Sequence, residues 1–475
     1  MTVYVVFHGH VYQPPRESPW TGEIPEEAGA SPFANWNQRI TEECYRPNAA
    51  ARILGPDGEV AAIRDNYRSV SLDVGPTLAH WLDAHAPDVA AAIAAADREH
   101  RTAIAHPWVH AILPLCNERD RRTLVRWGVH DFRRRFGRDP EGMWLPETGV
   151  DTPTLEALAD EGMFFTLLAP HQLEATRNDA GDEWRSEVDP RRPYRITLPS
   201  GRVCTVLTYD GGLSNAVAFE NVLRDGVALA ARVRAAAGDA ETAIASVVTD
   251  FETYGHHHRF GEMALARALV ELEQMSGVQV VPALAAVSEV PAGEARLAEN
   301  TAWSCAHGLE RWRSNCGCRL QHEAPPGQEW RAPLREALDL LRDRVQADEA
   351  LASLFDDCWR ARDDYGAVLT GETSREDWLT AHASRAGDAG RATTWITLQL
   401  HLLSMYTSCG WFFDDAARLE TVLVLRHAAR ALELIGELGG PDLEPELVEL
   451  LRPMRSADPR YPDGAAIWEL ARAPI

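Results

Sequence analysis

The chain has 475 residues, 45% hydrophobic and 25% charged, which suits a folded globular protein of two or three domains and excludes disordered, collagen-like and small disulfide-rich classes. With 47 basic against 71 acidic residues its net charge is −24, so no nucleic acid and no anionic membrane surface is expected as a partner, and a neutral or small one is favoured. No run reaches the roughly 18 apolar residues of a membrane helix, and the opening Met1-Thr2-Val3-Tyr4-Val5-Val6-Phe7 carries no basic export signal, so the expected location is cytoplasmic.

In chain order, the first half repeats one pattern: a short β-branched or aromatic run, then His, Asp, Glu, Pro or Gly at its carboxyl end. Such runs read as buried parallel strands. They are expected at 3–7 before His8-Gly9-His10, 70–72 before Asp73, 102–105 before His106 and 143–145 before Pro146-Glu147. Further runs fall at 164–168 before His171, 203–208 before Asp210 and 244–249 before Asp250, with 278–281 closing the set. Helical patterns lie between them at 76–85, an alanine-rich 89–97, 120–136, 152–161, 221–237 and 261–274. Alternation of this kind gives an α/β fold with a parallel sheet and right-handed crossovers. Seven or eight units favour a barrel, because polar groups at many strand ends then converge on one mouth. An open doubly wound sheet usually carries a glycine-rich first turn, and none is present.

From about residue 330 the pattern changes to long helices. Leu334, Leu338, Leu341 and Val345 share one helical face, and a helix over 419–438 ends at Gly439-Gly440-Pro441. The expected division is a catalytic barrel over 1–292, with an insertion at about 14–60 acting as a lid, and a helical domain over 293–475. The join Val290-Pro291-Ala292-Gly293-Glu294 reads as a linker.

Two carboxylates at strand ends stand out. Glu147 sits beside Trp144 and Pro146, where a side chain is held rather than freely solvated; the competing reading is a helix N-terminal charge. Asp250 and Glu252 follow a core strand, and alternation puts both on one side of Phe251. Glycosidic bond cleavage needs such a pair, one as nucleophile or base and one as proton donor. The triple histidine His256-His257-His258 reads either as a metal site or as positive neighbours of the acids. His8, His10, His106 and His110 suit sugar hydroxyls or metal, and the His106-Pro107-Trp108-Val109-His110 spacing fits a two-histidine arm. Fifteen tryptophans supply flat faces for sugar rings as well as core. Eight cysteines are too few for a disulfide framework; Cys305, Cys316 and Cys318 cluster in sequence, as soft metal ligands or as buried thiols, and Cys409 is a further candidate to join them.

Five regions of the chain resemble glycoside hydrolase family 57. Phe7-His8-Gly9-His10-Val11-Tyr12-Gln13-Pro14-Pro15 is similar to its opening segment, with Val11-Tyr12 inserted before Gln13. His110-Ala111-Ile112-Leu113-Pro114 is similar to its second region, Trp144-Leu145-Pro146-Glu147 to its nucleophile region, and Asp250-Phe251-Glu252-Thr253-Tyr254-Gly255-His256 to its acid/base region. Thr301-Ala302-Trp303-Ser304 matches the fifth loosely. The stretch from Ser304 through Asp414 looks like the domain of unknown function that follows the barrel in one branch, whose members extend further than Ile475.

The resemblance implies an incomplete (β/α)7 barrel with a helical domain contributing to its cleft. It implies a retaining, metal-independent glycosidase or transglycosylase on α-glucans, needing no cofactor. Glu147 becomes the nucleophile and Asp250 the acid/base. His8, His10, Gln13, His110, Trp144, Glu252 and His256 become carbohydrate-binding residues, and Trp303, Trp312 and Trp411 aromatic walls from the helical domain. Two other readings remain open at this point: a metal-dependent polysaccharide deacetylase using His106, His110 and an aspartate, and a non-catalytic carbohydrate-binding protein.

Overall fold

The computed structural model of the chain describes residues 2–179, 181–320, 327–384 and 388–473. The chain divides into two compact units, one of residues 1–13, 26–106 and 135–299, the other of 14–25, 107–134 and 300–475. The division is not the single cut near 292 that composition suggests. Most of the helix Glu118–Phe136, expected among the crossovers of the sheet, falls in the second unit.

The first unit is built on parallel strands. Thr2–Val11 lies between Thr242–Asp250 and Ser71–Val74, and its start also pairs with Val278–Val280. Val3, Val5, Val6 and Phe7 are wholly buried, as both faces of a covered parallel strand require. Ser71–Val74 pairs in turn with Ala103–Ile104, Ala105 bridges to Met143, and Gly142 bridges to Phe165. Phe165–Leu168 then pairs with Val203–Thr208. At the end of that strand the Asp210 amide donates to the Ser246 carbonyl at 3.1 Å, and Ser246 Oγ donates to the Thr208 carbonyl at 3.1 Å.

Several expectations are corrected. Residues 143–145 form only an isolated bridge, because Pro146 and a left-handed turn stop the ladder there. The helix expected over 221–237 is broken into Asn221–Arg224 and Gly226–Ala236, with the Asp225 side chain capping the second piece. The supposed linker at 290–294 leads directly into a strand, Gly293–Leu297, antiparallel to Leu173–Arg177 and tied to it by Arg177 and Glu294 at 2.9 Å. Pro193–Thr197 pairs antiparallel with Val203–Thr208. The insertion holds the helical turns Trp36–Ile40, Thr41–Tyr45 and Arg46–Ala49 and a hairpin of Ala51–Leu54 with Val60–Arg64.

The second unit is helical. Leu334, Leu338 and Leu341 are fully buried on Arg331–Gln346, as their spacing predicts, and Leu419–Glu437 packs against Ala389–Ser404. Among the described residues no helix is long and apolar enough to cross a membrane.

Candidate active site

The polar groups of the first unit gather at the carboxyl ends of its parallel strands. Asp73, wholly enclosed on Ser71–Val74, is their electrostatic centre. His10 Nδ1 lies 2.8 Å from Asp73 Oδ2 and His8 Nε2 lies 3.2 Å from Oδ1, while His8 Nδ1 meets Ser71 Oγ at 3.2 Å. Parallel register makes this possible: His8 stands opposite Ser71 and His10 opposite Asp73. Burial pushes the Asp73 carboxyl up, but the charge of His10 and the hydrogen bonds of both histidines outweigh it and lower its pKa to about 2.

The two histidines respond in opposite directions. Burial dominates at His8 and lowers its pKa despite Asp73. At His10 burial is overcome by Asp73 and, further, by the carboxylates Asp250 and Glu147, so its pKa is raised. One buried imidazole therefore senses three acids. On the other flank of Thr2–Val11, register places His10 directly opposite Asp250, the last residue of Thr242–Asp250. Trp144 floors the group, fully buried, with its ring 5.2 Å from His8 and 5.0 Å from His10. Tyr12 and His106 stack with His10 at 5.5 Å and 5.7 Å.

Glu147 is held by backbone conformation. It has φ 56° and Thr148 has φ 50°, two successive left-handed residues without glycine. Such positions are costly for L-residues and persist where surroundings fix them. Gln172 does the fixing: it accepts from Thr148 Oγ1 at 2.8 Å, donates to the Thr148 carbonyl at 2.7 Å and accepts from the Ala169 amide at 2.8 Å. The helix that follows is capped by Asp151, which accepts from the Thr154 amide at 2.8 Å, so Glu147 is not its cap.

After Asp250 the strand gives way to a tight turn, Phe251–Thr253, so alternation does not continue to Glu252. Phe251 is buried against Tyr67 and Tyr45, and Gly9 on the neighbouring strand leaves room for its ring, which a Cβ would strike. Glu252 accepts from Gln13 and, at 3.4 Å, from the Tyr45 hydroxyl. His256 is paired with Glu43 of the insertion, and His257 lies 3.5 Å from Glu252. The ligand atoms of Glu252, His256 and His257 fall within 4.8 Å of one another, which keeps the metal reading of the histidine run geometrically open. The insertion is thus seated on the Asp250 turn through Glu43, Cys44 and Tyr45; Cys44 Sγ donates to the Phe251 carbonyl at 3.2 Å.

The remaining sequence candidates belong to the second unit. His110 belongs to the second unit, where its Nδ1 meets Ser408 Oγ at 2.7 Å. Trp303 is half-buried in the second unit. Trp312 and Trp411 are each 0% exposed, and the Trp411 indole donates to the Arg331 carbonyl at 3.1 Å. They are core of the helical unit, not aromatic walls, because a sugar platform needs an open ring face. Sequence reasoning missed Asp73 as a functional group, as well as Gln172 and Glu43. Asp73 obeyed the strand-end pattern and was findable by it; the others act through contacts made only on folding.

Acids, buried imidazoles and a tryptophan thus stand together at the ends of parallel strands in an α/β fold. The chain belongs to glycosyl hydrolase family 57, which it matches over residues 6–295, and residues 327–474 match a domain of unknown function, DUF3536. No curated protein matches the sequence. Its fold is similar to an exo-type maltose-forming amylase from Pyrococcus sp. ST04, at 16% identity over 99% of this chain and 88% of that one, TM-score 0.69. It is also similar to a branching enzyme from Pyrococcus horikoshii (16%, 95% and 94%, TM-score 0.60) and to an alpha-amylase from Thermotoga maritima (12%, 100% and 100%, TM-score 0.54).

Proposed function

We propose that the chain is a retaining glycoside hydrolase or transglycosylase that acts on α-glucans by double displacement. The observation that carries this reading is the placement of His10: strand register sets it opposite Asp250 on one flank and Asp73 on the other, and its ring stacks on Trp144, three residues before Glu147. A glycosidic bond cleaved between Glu147 and Asp250 requires both carboxylates at one mouth, where these strand ends lead. Family membership supports hydrolase chemistry, and the fold neighbours, named for maltose formation, glucan branching and amylase activity, support an α-glucan.

In the proposed reaction a Glu147 oxygen attacks the anomeric carbon as the bond to the leaving oxygen breaks, and the Asp250 carboxyl gives that oxygen its proton. Asp250, now a carboxylate, takes a proton from water or from a second sugar's hydroxyl. The oxygen so activated attacks the anomeric carbon and releases Glu147. His10, oriented by Asp73, meets a sugar hydroxyl, with Gln13 and Glu252 at the edge, while the wholly buried His8 and Trp144 back His10 from within. The run of strand neighbours from Thr2–Val11 round to Thr242–Asp250 supports a seven-stranded barrel with this site at its mouth, and the insertion seated on the Asp250 turn supports its role as a lid.

Product analysis on maltoheptaose tests the reading. Wild type is expected to give shorter chains, joined by longer ones if transfer competes. Asp250→Asn is expected to lose activity by about 10²–10⁴-fold, and Glu147→Gln by at least as much. No product from any α-glucan, or full activity in both variants, contradicts it.

A further inference from the structure

The second unit holds a cluster that the proposed glycosidase chemistry does not use. From residue 298 to residue 320 the only helix or strand is the turn Glu310–Trp312. Connections this long and irregular are uncommon in compact proteins without something to hold them. Within this one Cys305, His307, Cys316 and Cys318 converge, their ligand atoms all within 4.8 Å of one another.

The separations have chemical content. Cys305 Sγ and Cys318 Sγ are 3.9 Å apart, and Cys318 Sγ is 3.4 Å from His307 Nδ1. A disulfide needs about 2.05 Å between sulfurs, far below this value. Tetrahedral zinc with Zn–S of about 2.3 Å and Zn–N of about 2.0 Å sets its ligand atoms about 3.8 Å apart for two sulfurs and about 3.5 Å apart for sulfur and nitrogen. Both observed spacings match.

Surrounding groups suit thiolates. The Cys318 amide points at Cys316 Sγ at 3.4 Å across Gly317, whose φ of +75° lets the two thiols turn toward one point. Arg331, wholly buried at the head of its helix, donates to Cys316 Sγ at 3.4 Å and to the Phe412 and Phe413 carbonyls. A guanidinium so enclosed calls for negative charge beside it. Three thiolates and a neutral imidazole around Zn²⁺ leave one net negative charge, and binding releases the three thiol protons.

We propose that Cys305, His307, Cys316 and Cys318 form a structural zinc site of Cys3His type. With four protein ligands the metal is closed to substrate. It fastens the irregular segment to the helix Arg331–Gln346 and to Phe412–Phe413, which Arg311 also reaches, at 2.7 Å. Cys409 is outside the group.

Metal analysis of the untagged full chain, purified without added metal, is expected to find about one zinc per chain. Cobalt reconstitution should give the intense bands of a tetrahedral ion with thiolate charge transfer. Cys316→Ser and Cys318→Ser should each lower the zinc content, and chelation should lower the thermal midpoint of wild type but not of these variants. Substoichiometric zinc with a cobalt spectrum of the hydrated ion overturns the site, as does an intact mass showing a disulfide among these cysteines. The cobalt result on wild type decides the matter even if the serine variants do not fold.

Discussion

At the residue scale, Glu147 combines the proposed nucleophile with a left-handed backbone. Glycine adopts φ 56° without a Cβ penalty, whereas alanine keeps it. Glu147→Gly should therefore be more stable than Glu147→Ala by about 1 kcal/mol in urea unfolding, although both lack activity. The reverse order would mean that the turn is not strained. Asp73 makes a second prediction. Asp73→Asn leaves His8 and His10 without the anion that orients them, and should cost about 3–5 kcal/mol. The sign with pH follows from the shifts. The pKa of His10 is raised above 6.5, so its stabilisation is full below pH 6.5 and is lost as pH rises through the folded value. That of Asp73 is depressed from 3.8 to about 2, so its stabilisation is present above 3.8 and is lost as pH falls toward 2. An alkaline fall in thermal midpoint that disappears in His10→Gln checks the first of these.

At the element scale, two close packings predict what substitution does. Gly9 lies between His8 and His10 and faces the Phe251 ring. In Gly9→Ala the new methyl must push that ring, and with it the turn after Asp250, so a loss of about 1–3 kcal/mol and a fall in kcat are expected together. In the second unit His401 and His427, on adjacent helices, meet Nδ1 to Nδ1 at 3.0 Å. Burial lowers them from 6.5 to about 4 and about 3. Between pH 6.5 and about 4 the unfolded chain takes up protons that the folded pair refuses, so stability falls with pH by about 1.4 kcal/mol per unit for each histidine. His427→Leu should flatten that slope in urea titrations at several pH values; an unchanged slope would place the acid sensitivity elsewhere.

Strand ends and helix faces were the legible part of these elements. Val3 to Phe7 announces a buried strand by an unbroken apolar run, Ile244 to Thr249 by a run rich in β-branched residues, and Leu334 to Val345 announces a helix by its period. The antiparallel pieces Leu173–Arg177, Pro193–Thr197 and Gly293–Leu297 carry charged residues and a leading proline, so each looks like loop until its partner strand is in place.

At the scale of the whole molecule, what the sequence expressed was the chemistry of each strand end, and what it hid was which distant segments meet there. Glu147, Asp250, His8 and His10 were identifiable because each stands at the end of a buried, mostly apolar run. The Gln172 clamp on Thr148 and the Glu43 and Tyr45 contacts to the Asp250 turn join segments far apart in the chain, and no local pattern marks them. Trp312 and Trp411 show the converse: tryptophan in a family-like stretch suggested a sugar platform, yet both fill the helical core. The two-carboxylate mechanism is tested most directly by trapping the covalent intermediate. The full chain is incubated with a fluorinated α-glucosyl donor, which forms the glycosyl-enzyme faster than it is hydrolysed, and the labelled peptide is located by mass spectrometry. One glycosyl ester is expected on Glu147, absent in Glu147→Gln; a label on another residue, or turnover with inverted anomeric configuration and no adduct, would contradict the two-carboxylate mechanism.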